Sequence, residues 1–421
     1  MLLKRRRFLL AAAALGSTPL LRAAPTEKRV VIVGGGWGGL GAARHLRAHA
    51  PELDVVLIER NAQFRSLPLS NKWLLGRIDG AALTHDYQAA ARAWGYRFVQ
   101  AEASAIDRER RRVQTSAGGF DYDWLVLALG IRHDHAAWFG DDRETADYAR
   151  THFPSAYTAG PELAVLREKL ARFTGGTLLM TVPPLPYRCP PAPYERAVLI
   201  ADWLEARRIP GKLLVLDPNT PTQGFQQIFD ERHPQRIDYR SQTRITALDP
   251  RRRTLQTEFD DFAFDDAILM PPQQAGDLAW QAGLVGKDSG WAAADPLSFA
   301  SRADERIFVV GDMLDRVSPL FGHYPKSGQM ASRQGRIVAR RIAALARGET
   351  PPREFPDSIC HIATRLDPPE ALRIEASFRL RGDGVLMQQS RTTRDAQPRG
   401  EDLAWAEGMF REFLAPPGGA R

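Results

Sequence analysis

Cysteine is scarce: Cys189 and Cys360 are the only two in 421 residues. No Cys-x-x-Cys-His can therefore occur, and the chain attaches no c-type haem of its own. The pair allows one internal disulfide. As a staple across so long a loop it would stabilise by about 4 to 5 kcal/mol in the chain-entropy model. As a redox pair it would do chemistry instead, and the spacing alone leaves both readings open. Long apolar runs are also missing, since none reaches the roughly 18 residues of a membrane-spanning helix. Acids are absent from the first 25 residues, where Lys4, Arg5, Arg6, Arg7 and Arg22 stand. Setting those five aside leaves 52 basic against 50 acidic side chains, so the formal +7 is a property of the leader and gives little reason to expect nucleic-acid binding. What remains, 44% hydrophobic and 25% charged, is the balance of a soluble globular chain long enough for two or three domains.

The leader reads as an export signal. Arg5-Arg6-Arg7-Phe8-Leu9 has the twin-arginine form, followed by an apolar stretch to Leu15 and small residues at Ala23-Ala24. A periplasmic location is expected, and residues 1–25 are set apart from the fold.

A dinucleotide fingerprint follows at once. Lys28 to Val33 is a β-branched strand, Gly34, Gly36 and Gly39 form G-x-G-x-x-G, Leu40 to Ala50 reads as a helix, and Asp54 to Ile58 is a second strand ending on Glu59. The glycines let backbone approach a pyrophosphate, the helix start faces its charge, and the acid takes ribose hydroxyls. Glu59 argues against a 2′-phosphate, which leaves FAD or NAD.

Two later strands favour FAD. Tyr122 to Gly130 and Arg306 to Asp312 resemble the segments with which two-dinucleotide flavoproteins return to the FAD domain and bond the ribityl chain. After them, Lys326-Ser327-Gly328 opens a helix to about Ala346, whose N-terminus suits negative charge on a reduced flavin. The middle of the chain lacks a second glycine motif. The strand Gly176 to Val182 runs into Pro183-Pro184, which offers no N–H to a phosphate, while Lys212 to Asp217 repeats the second strand of such a unit. The architecture of a nicotinamide domain is expected there without its ligand. Arg132-His133-Asp134-His135 lacks a third spaced ligand, and no metal is expected.

Tyr187 to Ala197 (YRCPPAPYERA) carries a closer likeness, shared by Leu69-Ser70-Asn71, Phe153 to Gly160, Pro271-Pro272-Gln273, Pro325 to Gly328, Cys360, Trp405 and Phe410. Over most of its length the chain resembles the flavoprotein subunit of flavocytochrome c sulfide dehydrogenase. The resemblance implies that Cys189 and Cys360 form a redox-active disulfide over the flavin, that Glu195 handles protons beside it, and that Asn71, Gly130, Asp312, Lys326, Ser327 and Gly328 join the glycine motif and Glu59 in binding FAD. It implies oxidation of sulfide to sulfur or polysulfide: hydrosulfide opens the disulfide to a persulfide and a thiolate, and electrons pass through FAD to a c-type cytochrome partner. One position departs from the pattern. Leu67 stands where the family's flavin-bonding cysteine would be, so FAD is expected to be non-covalent.

The fold expected is α/β: two Rossmann-like dinucleotide-binding domains of glutathione-reductase type plus a small C-terminal interface domain. FAD-binding parts are placed at 26–160 and 276–350, a degenerate NAD-binding-like domain at 161–275, and the interface domain at 351–421. A disulfide reductase for another thiol or persulfide would use the same residues. So would a non-catalytic flavoprotein of a sulfur-oxidation complex, with the disulfide only structural.

Overall fold

A computed structural model describes residues 27–220 and 224–414. The leader lies outside the described residues. The first sheet has six strands, ordered 300–301, Asp304–Val309, Trp124–Leu127, Arg29–Val33, Asp54–Glu59 and Arg97–Gln100. Its central strands are parallel and covered on both faces, which is why they read as continuous β-branched runs: Val30, Val31 and Ile32 are fully buried. Each such side chain contributes about 1.5–3 kcal/mol by leaving water. The register aligns Ile58, Val33, Leu127 and Val309 in one row. Glu59, Gly34, Ala128 and the Val310–Asp312 turn therefore emerge together at the carboxyl edge, where open parallel sheets bind ligands.

Two helices cover this sheet. Trp37–His49 starts inside the glycine motif, three residues before the expected Leu40. It crosses Gly328–Ala346, the helix expected after Lys326, whose first N–H groups are capped when the Ser327 hydroxyl accepts from Met330 N–H.

A second sheet holds four parallel strands, Ile237–Arg240, Gly211–Leu216, Gly176–Thr181 and Asp266–Ile268. The chain passes between the sheets on an antiparallel ribbon of Ile131–His133 with Gln273–Ala275. This crossing comes earlier than the boundary expected at 160. Helix Arg143–His152 follows it, and Ala149 and Phe153 pack with Leu179 and Leu214 of the second sheet. Nothing in the local sequence announced that, because the ribbon's partner lies some 140 residues on.

The C-terminal unit is a three-stranded antiparallel sheet, Asp357–Leu366, Pro369–Leu380 and Leu386–Asp395, followed by helix Glu401–Phe413. Phe410 of that helix stacks on Trp37 at 5.8 Å, and Met409 and Phe413 are buried with it. Among the described residues no helix is long and apolar enough to cross a membrane.

Glu370 ties this unit to the second. It is 3% exposed and accepts from Arg232, Arg365, Arg394 and the Thr364 hydroxyl. Burial opposes its ionisation, yet the bonds from Arg232, Arg394, Arg365 and Thr364 outweigh it and hold its pKa at about 2. The folded value lies below the unfolded one, so the stabilisation is full above about pH 4.5 and lost as pH falls towards 2. With two of the arginines part exposed, Glu370→Gln is expected to cost about 2 kcal/mol at pH 7. Urea unfolding should show the gap to wild type closing as pH drops below 4.5; a gap independent of pH would exclude this origin.

Candidate functional site

A cavity of about 1060 Å³ opens at the carboxyl edge of the first sheet. Of the residues expected to bind the cofactor, Gly34, Gly36, Glu59, Asn71, Gly130, Asp312, Ser327 and Gly328 line it. Cys189, Cys360 and Glu195 line the same cavity, joined by Leu67.

Several features fit a dinucleotide. The Trp37–His49 helix has no side-chain cap and no acid in its first turn, so its first N–H groups are left for an anion. A Cβ on Gly36 would meet no atom within 4 Å, so the cavity is open there. Glu59 is braced by Gly35 N–H at 2.9 Å and by Asn61. Asp312 is buried; its Oδ2 accepts from Arg188 Nε at 2.5 Å, while its Oδ1 has no partner in the protein. An orphaned acceptor in a cavity wall is what a ligand hydroxyl would satisfy.

Two expected binding residues take other roles. Gly39 does not reach the cavity: a Cβ there would stand 1.9 Å from Gly34 O, so its smallness serves helix-on-strand packing. Lys326 also stays out. Its ammonium donates to Asp312 O and Leu314 O, both at 2.7 Å, and sits 3.7 Å over the Trp291 ring. Burial pulls its pKa down to about 7. Its backbone contributes instead, because Lys326 O accepts from Cys189 N–H at 2.7 Å.

The two cysteines are brought to one cavity from distant segments, and no S–S bond joins them in this structure. Cys189 lies in the loop before helix Ala192–Ala206 with φ +49°, a strained setting for a side-chain-bearing residue. Cys360 sits on strand Asp357–Leu366, beside the start of the Gly328–Ala346 helix, where Ile359 N–H donates to Gln329. Burial, and then the charge of Cys360, Glu195 and Asp312, pushes the Cys189 thiol up. Burial lifts Cys360 to about 11 against a hydrogen bond with Ser327. Burial thus favours the protonated, neutral form of both thiols in the reduced pair.

Glu195 bridges the two cysteine segments. Its Oε1 accepts from Ala363 N–H at 2.8 Å, three residues beyond Cys360, and its Oε2 from Asn71 Nδ2 at 2.6 Å. Burial raises its pKa, with Ala363 and Asn71 acting the other way. Asn71 thus lines the cavity with its amide engaged, and its Oδ1 accepts from the buried Arg196. Arg188, Arg196 and Tyr157 also line the cavity and were not singled out from the sequence. Their partners lie about 30 to 125 positions away, so no local pattern marks them. Burial, with His135 and Arg188 nearby, takes His133 to about 3, and among the described residues no three His, Cys, Asp or Glu side chains group as a metal set.

Asp217, where a ribose-binding acid would stand, is fully buried and accepts from Tyr194 OH at 2.6 Å, Tyr239 OH at 2.7 Å and Asn219. Asn219 also pins the proline turn, donating to Pro183 O and accepting from Leu185 N–H.

Residues 28–156 match the model of the pyridine nucleotide-disulphide oxidoreductases, and residues 163–271 match that of the sulfide dehydrogenase (flavocytochrome c) flavoprotein chain, central part. Within those bounds the chain is similar to the pyridine nucleotide-disulphide oxidoreductase family. The α/β architecture expected from the sequence is that of this family. A sulfide:quinone oxidoreductase from Aquifex aeolicus superposes with TM-score 0.72 at 19% identity, covering 92% of this chain and 93% of that one. An NAD-dependent persulfide reductase from A. fulgidus gives 0.60 at 15% identity, covering 92% and 77%. A type II NADH:quinone oxidoreductase of Staphylococcus haemolyticus is 29% identical over 101 residues, 24% of this chain. The chain spans only about a quarter of the length of such curated relatives.

Proposed function

We propose that this protein is the flavoprotein of a sulfide dehydrogenase, which holds FAD non-covalently, oxidises sulfide through Cys189 and Cys360, and passes electrons to a c-type cytochrome in the periplasm. The observation that carries this reading is that both cysteines line the same cavity as the glycine motif and Asp312. The match to the sulfide dehydrogenase central model supports it. Gly34, Gly36, Glu59, Gly130 and Asp312 would hold FAD, with Ser327 and Gly328 presenting a helix start to it. Leu67 offers no thiol for a covalent link.

In the proposed reaction, hydrosulfide attacks one sulfur of the oxidised pair; an S–S bond breaks, a cysteine persulfide forms, and the other cysteine leaves as thiolate. A second hydrosulfide takes the outer sulfur as disulfane and leaves a dithiol. Glu195, buried and held by Ala363 and Asn71, receives a proton as that dithiol closes again. A bound flavin would supply the acceptor for the two electrons released. Export by the twin-arginine leader suits a protein that folds around its cofactor before crossing.

The test is anaerobic mixing of the yellow protein with sulfide, then with cytochrome c or a soluble quinone. Sulfide should bleach the flavin and cytochrome c should restore it; reoxidation by quinone alone would move the acceptor to the one named for the Aquifex neighbour. Denaturation should release all FAD into the supernatant, and NADH should bleach the flavin no faster than buffer, because Pro183–Pro184 offers no N–H to a phosphate and Asp217 is already engaged by Tyr194 and Tyr239. Colour retained by the precipitate, or rapid bleaching by NADH, would contradict these two points.

A further inference from the structure

Arg188 stands next to Cys189 in sequence, yet its side chain points to the opposite partner, the acid that faces the cavity. Its Nε donates to Asp312 Oδ2 at 2.5 Å, its Nη1 donates to Tyr157 O at 2.9 Å, and its backbone N–H donates to Gln273 Oε1 at 2.8 Å. The guanidinium also closes on the Gly130 turn: a Cβ there would be 2.7 Å from Nη2. Four separate segments thus converge on this one residue, whose side chain is 18% exposed. Asp312 divides its oxygens, one to Arg188 and one without a protein partner.

We propose that Arg188 is a positioning residue that holds Asp312 for the flavin and, through the adjoining peptide, sets Cys189 beside it. The inference rests on the flavin reading of the cavity. A buried carboxylate without a counter-charge is strongly unfavourable, and the guanidinium bonded to Asp312 Oδ2 supplies one that fixes its position. Its planar fork reaches Asp312 and Tyr157 from two separate nitrogens, a fixed spread that a lysine's single nitrogen does not reproduce. The peptide that carries this side chain leads directly into Cys189, whose N–H is tied to Lys326 O. Lys326 also bonds Asp312 O, so side chain and backbone link the same two sites twice.

The test is a double-mutant cycle read by FAD titration of the apoprotein. Arg188→Gln should raise the FAD dissociation constant at least about tenfold, and Arg188→Lys should recover part of that loss. On an Asp312→Asn background, the same Arg188→Gln change should alter it less than about twofold, because no buried charge is left to neutralise. Equal effects in both backgrounds would overturn the assignment. Should Arg188→Gln fail to fold, the cycle is run with Arg188→Lys under the same criterion. FAD affinity is read without sulfide turnover. A chain that shows the coupling but leaves sulfide untouched keeps this role for Arg188 and loses the proposed activity; one that binds no FAD loses both.

Discussion

Cys189→Ser should fold, bind FAD and lose sulfide-dependent flavin reduction by on the order of 10³-fold or more. Serine fills the same space, and the Cys189 N–H keeps its bond to Lys326 O, so the loop has no reason to move. What disappears is the electrophilic sulfur. Cys360→Ser should fail in the same way, because neither thiol substitutes for the other in making the S–S bond. A staple behaves differently: its loss would cost about 2 to 5 kcal/mol and lower the melting temperature, with turnover per folded molecule intact. Stopped-flow reduction by sulfide, measured beside thermal melts of both variants, separates the two. Near wild-type rates with lower melting temperatures would return the pair to a structural role and support a non-catalytic flavoprotein.

Gly335→Ala should destabilise the protein by about 3 kcal/mol and weaken FAD retention, although helix propensity alone predicts a gain of about 1 kcal/mol. Gly335 lies mid-helix, and a Cβ there would stand 2.3 Å from Gly38 O and 2.7 Å from Ala42 N. Both are backbone atoms of the Trp37–His49 helix and cannot swing aside. The two helices would have to part, and both begin at the cavity wall. Gly408→Ala is the control, since nothing lies within 4 Å of its Cβ position; it should be neutral or slightly stabilising. Urea unfolding of the two variants reads the contrast, and a stabilised Gly335→Ala would mean that the close crossing does not constrain the fold.

The sequence by itself determined the elements that local chemistry dictates. The β-branched run before Gly34, the helix after it, the acid ending the second strand and the helix opened by Lys326-Ser327-Gly328 are each readable within a few residues. The lack of phosphate-binding N–H groups at Pro183 and Pro184 was also legible. The structure added a feature from afar, Tyr194 and Tyr239 occupying Asp217. Gly39 and Lys326 show where local reading stops. Both sit inside binding motifs, but whether a residue touches a ligand or braces its neighbour depends on a direction that only the packed chain sets. The shared cavity of Cys189 and Cys360, the bridge from Glu195 to Ala363, and the grip of Arg188 on Asp312 depend on contacts spanning 124 to 171 positions. Such contacts leave no periodicity or spacing behind; the first two exist because the C-terminal sheet docks onto the second unit, Glu370 among its ties, and so carries Cys360 to the cavity.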